Sequence, residues 1–268
     1  MTDSLLVLSM NNDNMPKIQF GTQLLVTLLA IFSFNFCHSQ TITSNSSGFY
    51  LEDYYSYNRD AGDLVMTLHG GGRYETLWQE GEFIAGVGWN PGHQNAVNYA
   101  GTFSPDQGMN AYLALHGYFT APIVDYHIVE TYGSWNPKGN MAYYGSYVSD
   151  GADYDLYYQE NPPFGINPQQ TYTYMSIRQQ PKPHGEISGT ITTKAHFDAW
   201  ADLGLDLDGQ HQSMIMATWG YRASGSSDIT VTQASSENKN TAGWFGTHAI
   251  ILLGGLLVLS RRRKGLQD

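Results

Sequence analysis

At 268 residues the chain has room for one large domain plus terminal segments, and its net charge of −11 argues against a nucleic-acid binder. From Thr41 to Ala234 there are 7 basic and 20 acidic residues, a balance of −13 that leaves no basic patch for phosphates. Cys37 is the single cysteine, so the segment beyond it has neither a disulfide nor thiol chemistry.

In chain order, Lys17 precedes an apolar run from Leu24 to Phe36, followed by Cys37-His38-Ser39-Gln40. A basic start, a short apolar stretch and small residues near its end predict a secretory signal peptide over 1–40, with the residues before Met15 as an upstream extension. From Gly48 onward Tyr, Thr and Val recur on short segments. These predict strands at Phe49–Tyr57, Asp63–Leu68, Arg73–Gln79, Glu82–Val87, Asn95–Phe103, Asn110–Tyr118, Ile123–Glu130, Met141–Val148, Tyr154–Glu160, Thr171–Gln179, Gly189–Thr193, Ser213–Trp219 and Asp228–Thr232. Turn chemistry separates them, as at Asp60-Ala61-Gly62, Gly70-Gly71-Gly72, Asn90-Pro91-Gly92 and Ser149-Asp150-Gly151. Only Lys194 to Leu203 reads as helix, with Thr193 as its cap and Phe197, Trp200 and Ala201 as its apolar stripe. Many short strands and one helix predict an all-β jelly roll of two stacked, curved antiparallel sheets over 41–234.

Beyond it, Ser235 begins a polar linker over 235–243. The segment 244–268 holds the apolar run Trp244–Leu259 and then Arg261-Arg262-Arg263-Lys264. That run is short for a spanning helix, which needs roughly 20 residues. It resembles the glycine–hydrophobic–arginine C-terminal sorting signals of Gram-negative bacteria, with a membrane anchor as the alternative. In both cases the basic cluster stays cytoplasmic and the domain lies outside, secreted or on the cell surface.

Pro122-Ile123-Val124-Asp125-Tyr126-His127-Ile128-Val129-Glu130-Thr131-Tyr132-Gly133 is the stretch with the most chemistry. Period-two alternation puts Asp125, His127 and Val129 on one face, an acid and an imidazole side by side. Glu130 falls on the other face and is expected as a surface or sheet-edge carboxylate.

Several further motifs occur in a fixed order: Asp63-Leu64-Val65-Met66-Thr67-Leu68, Phe83-Ile84-Ala85-Gly86-Val87-Gly88-Trp89, Val97-Asn98-Tyr99-Ala100-Gly101, then the Pro122–Gly133 stretch. Ser176-Ile177-Arg178-Gln179 with Pro181-Lys182-Pro183, His196-Phe197-Asp198-Ala199-Trp200, and Ala217-Thr218-Trp219-Gly220-Tyr221 with Ser224-Gly225-Ser226-Ser227 follow. Together they resemble a glycoside hydrolase family 11 endo-β-1,4-xylanase over most of 48–231. The resemblance implies retaining hydrolysis of plant xylan by two glutamates whose carboxyls lie about 5–5.5 Å apart. Both glutamate positions are substituted here. Asp125 stands at the nucleophile position, one methylene short, a misplacement that can cost on the order of 10²-fold. Trp219 stands at the acid/base position, where an indole has no proton to give to a leaving alkoxide. Glu82 is expected to face that position and is the candidate substitute acid, the alternative being a carboxylate satisfied by its neighbours. Tyr112, Tyr118, Trp135, Arg178 and Pro183 match substrate-binding positions, and His116 and His127 replace two tyrosines beside the nucleophile. Asn58 stands where a sugar-stacking tryptophan is expected.

The resemblance implies a xylanase-family domain, monomeric and without a cofactor, whose partner is xylan or a related wall polysaccharide and whose hydrolysis is lost or strongly reduced. Two alternatives stay open. One is a non-catalytic glycan-binding module in which Trp219 adds a stacking plane. The other is a metal site formed by Glu82, His116, Asp125 and His127.

Overall fold

The computed structural model of the protein describes residues 39–120, 122–160, 171–205 and 207–234. The expected leader (apart from its last two residues), the linker and the hydrophobic tail lie outside the described residues. Among the described residues no helix is long and apolar enough to cross a membrane.

Among the described residues, twelve strands and one helix follow one another: β1 (Gln40–Ile42), β2 (Ser46–Tyr50), β3 (Asp53–Gly70), β4 (Arg73–Trp89), β5 (Val97–Pro105), β6 (Asn110–Thr120), β7 (Ile123–Tyr132), β8 (Ala142–Ser149), β9 (Ala152–Glu160), β10 (Thr171–Arg178), β11 (Gly185–Ile191), α1 (Thr193–Asp202) and β12 (His211–Gln233). Hydrogen bonding links them in the order β1-β3-β4-β12-β6-β7-β10-β9-β8, with β2 on β3 and the pair β5–β11 on the far half of β12. The result is a β-jelly roll. All pairings are antiparallel except β10 with β7, which run parallel.

Three segments expected as pairs of short strands are single long ones. β3, β4 and β12 cover 18, 17 and 23 residues. The polar and glycine residues at Asp60-Ala61-Gly62 and after Gly220 make bulges, not turns: the β3–β4 register slips between Arg59 and Asp63, and the β4–β12 register between Tyr221 and Gly225. At Gly62 (φ 69°) an added Cβ would sit 2.1 Å from the Glu80 carbonyl oxygen, so the first bulge admits no side chain. Through these bends one strand serves both layers. The first half of β12 pairs with β6 and its second half with β5.

The main core holds Leu113, Leu115, Val124, Tyr126 and Ile128 from β6 and β7, Tyr174 from β10 and Trp200 from α1. Trp200 Nε1 donates to Tyr147 Oη (2.9 Å) and Ser176 Oγ (2.8 Å), which satisfies the one polar atom of a fully buried indole. Thr193 does not cap α1. It is the first helical residue, and its hydroxyl donates to the Asn95 carbonyl. The preceding Thr192 is tied instead through its own N–H (2.8 Å) and hydroxyl (2.5 Å) to the Asp150 carboxylate.

Glu130 is not at the surface. Its side chain is fully buried, and its carboxylate accepts hydrogen bonds from Tyr99 (2.5 Å) and Tyr154, with Arg178 at 3.7 Å and Lys182 at 3.9 Å. Alternation correctly turns it away from Asp125, but that face of β7 meets the core between the layers. A carboxylate is tolerated there because hydroxyl and cationic partners surround it.

Candidate active site

A second, smaller apolar cluster lies on the opposite face of the same strands. Tyr112, Ala114, Val129, Tyr157, Met175 and Ile177 form it, with Tyr132, Met141 and Trp219 packed against it. Asp125 and His127 lie on this face of β7. The register sets His116 of β6 opposite His127 and Tyr118 opposite Asp125.

The two imidazoles converge on one carboxylate oxygen. Nε2 of His116 lies 2.8 Å and Nε2 of His127 3.4 Å from Oδ1 of Asp125. The histidine side chains are 6% and 7% exposed and that of Asp125 is 32% exposed, so the cluster opens to solvent through the carboxylate alone. Nδ1 of His127 is 3.3 Å from the Tyr112 hydroxyl, and the Tyr118 ring meets His116 edge-on at 4.7 Å. Burial pushes the Asp125 carboxyl upward, but His127 and His116 outweigh it and hold it well below the usual carboxylate range. Burial pulls His116 below its ordinary value, with Asp125 acting in the opposite direction. Burial, and after it the charge of Asp125, raises both Tyr112 and Tyr118. Asp125 is therefore an ionised acceptor ringed by donors.

Trp219 lies on β12 opposite Tyr112, and the two rings stack at 4.6 Å with 21° between planes. Trp135 and Tyr221 flank it at 6.5 Å and 6.1 Å, both nearly parallel to it. Four aromatic planes thus line up beside the Asp125 cluster. Of these, Tyr221 was not anticipated from sequence, although it follows Trp219 by two residues on one strand and alternation alone would place it on the same face.

Glu82 does not join the cluster. Its carboxylate accepts from Nε of Arg222 at 2.9 Å, across the β4–β12 pair. Arg222, at φ 49° in the β12 bulge, is a partner that strand periodicity gave no means of finding. Arg178 also turns elsewhere: its guanidinium contacts the Tyr154 hydroxyl (3.3 Å) and the Gln180 carbonyl (3.1 Å), beside Glu130. Pro183 is exposed in the segment between β10 and β11. That segment is anchored to β7, because Lys182 N–H donates to the Glu130 carbonyl and Thr131 Oγ1 to the Lys182 carbonyl.

The profile described as "Glycosyl hydrolases family 11" matches residues 49–230. The chain belongs to that family. It is 43% identical over 202 residues to an endo-1,4-beta-xylanase of Cellvibrio japonicus, covering 73% of this chain and 56% of that protein. It is 42% identical over 206 residues to a bifunctional xylanase/xylan deacetylase of the same organism, covering 74% of this chain and 31% of the relative. An endo-1,4-beta-xylanase of Rhizopus oryzae is matched along its whole length at 37% identity, over 80% of this chain. A xylanase structure from T. reesei superposes with a TM-score of 0.59 at 29% identity, over 70% of this chain and all of that one. The chain thus spans about a third to a little over half the length of the two Cellvibrio relatives.

Proposed function

We propose that this family 11 domain engages β-1,4-xylan in the groove beside Asp125 and Trp219, with retaining hydrolysis lost or strongly reduced. Family membership and the names of the relatives support the substrate class. The observation that carries the loss is the indole of Trp219, stacked on Tyr112 where the family resemblance expects the acid/base. Among the described residues neither candidate replaces the proton donor: Tyr112 is raised by burial, and Glu82 is already engaged by Arg222. Asp125, at the nucleophile position, is shared between two imidazoles, which lowers its readiness to attack.

The row Trp135–Trp219–Tyr112, with Tyr221, favours binding as the retained activity. Trp135 and Tyr221 are the exposed rings of this row, and such a ring can face a sugar of an extended chain while its edge stays wet. The leader and tail patterns of the sequence support action outside the cytoplasm.

The test pairs turnover of xylohexaose with affinity electrophoresis on xylan, cellulose and mannan. The proposal expects retardation on xylan, weakened about tenfold by Trp219→Ala, and product formation at least about 10⁴-fold below that of an active family member. Native turnover at the rate of an active xylanase would sink the proposed loss. Unretarded migration on xylan would sink the proposed engagement.

A further inference from the structure

We propose that His116, Asp125 and His127 form a binding site for one divalent transition-metal ion, zinc above others, on the floor of the groove. One ligand atom from each residue, a ring nitrogen of either histidine and a carboxylate oxygen, lies within 4.8 Å of the other two. In a tetrahedral zinc site with bonds of about 2.0–2.1 Å, neighbouring ligand atoms are about 3.3 Å apart. The His127–Asp125 separation of 3.4 Å already has that value, and the His116–Asp125 separation of 2.8 Å reaches it if the carboxylate swings by about half an ångström. Two imidazoles and a carboxylate are a donor set suited to a borderline divalent ion.

The surroundings aim these atoms. His116 and His127 are register partners on adjacent strands, with rings 4.5 Å apart and 31° from parallel, and both Nε2 atoms approach Oδ1 of Asp125. The Tyr112 hydroxyl at Nδ1 of His127 is the outer partner that metal-bound histidines usually have, and it leaves Nε2 for the ion. Asp125 is the solvent-facing member, so the ion's remaining positions open into the groove. Glu82 is left out of the set because Arg222 holds it. The inference is independent of glycan binding, since its readout is the ion.

Tag-free protein stripped with a chelator is titrated with Zn²⁺ by calorimetry and with Co²⁺ by visible absorption. One ion per chain is expected, with tetrahedral-type cobalt bands. His116→Ala and His127→Ala should each weaken binding by more than about tenfold, Tyr112→Phe by about tenfold, and His69→Ala, at a separate His–Glu contact, should change nothing. Should an alanine variant not fold, Asp125→Asn and Tyr112→Phe carry the same test with little change of shape. Absence of saturable binding, or binding that survives these substitutions, overturns the proposal and leaves a hydrogen-bonded triad.

Discussion

Glu130→Gln should cost the fold far more than its single-atom change suggests. One carboxylate oxygen accepts from Tyr99 at 2.5 Å and the other from Tyr154, all at full burial. Burial and the Glu130 charge both raise these two phenols, which therefore stay protonated donors. Glutamine keeps one acceptor and turns the other into a donor facing a donor. One bond to a charged group, worth about 1.5–3 kcal/mol, is lost, and the second weakens toward the neutral value of about 1 kcal/mol. Arg178 and Lys182, at 3.7 and 3.9 Å and partly exposed, add little because solvent screens them. The amide avoids the desolvation of a buried charge, which offsets part of the loss. The net expectation is about 2–3 kcal/mol, or a fall in Tm of about 5–10 °C for a domain of this size. Urea unfolding of wild type, Glu130→Gln, Tyr99→Phe and the double variant gives the coupling directly. An unchanged midpoint in Glu130→Gln, or additive effects in the double variant, would refute the reasoning.

Two further outcomes follow from buried groups and from the bulge. His196 is lowered to about 3 by burial, with Asp150 opposing, and His211 to about 4 by burial and then by His93. Below about pH 6.5 the unfolded chain therefore binds protons that the fold refuses, and stability falls by about 1.4 kcal/mol per pH unit for each group until its folded pKa is reached. Urea midpoints at pH 7, 6 and 5 should show this fall and His196→Gln should reduce it; an identical slope in the variant would mean that His196 does protonate in the fold. Gly62→Ala should destabilise by more than about 1 kcal/mol, because its Cβ would meet the Glu80 carbonyl at 2.1 Å in a left-handed residue. An unchanged Tm would show that the bulge relaxes.

Strand identity was legible because β6, β7 and β10 alternate, on β7 as far as the register slip at Glu130, with Val124, Tyr126 and Ile128 to the core and Asp125 and His127 opposite. Strand length was not. Gly62 and Gly225 carry positive φ, which in sequence reads equally as a turn or as a bulge. Only the cross-strand partner decides between them: here β4 runs past both irregularities without ending. The burial of Glu130 was missed for a related reason. Its partners Tyr99 and Tyr154 come from β5 and β9, elements whose distance in sequence hides that they meet over β7. The pairing of His116 with Asp125 was reachable, since it needs only the β6–β7 hairpin and its register.

The same alternation separates the residues of the Asp125 cluster from those that fix the fold. On β6, Leu113 and Leu115 face the main core, and Tyr112, Ala114 and His116 lie on the opposite face. Trp219, His116 and His127 lie on that second face, so a change of side chain there does not touch the main-core packing directly. Their contacts stay on the same face: Trp219 stacks on Tyr112, Tyr112 meets His127, and both histidines close on Asp125. Each of these side chains has its partner in another member of this row. Replacing Trp219 alone by glutamate would therefore remove the stacking partner of Tyr112 and leave Asp125 still held by two imidazoles. Under the proposed loss of hydrolysis, its gain is expected only when these residues change together.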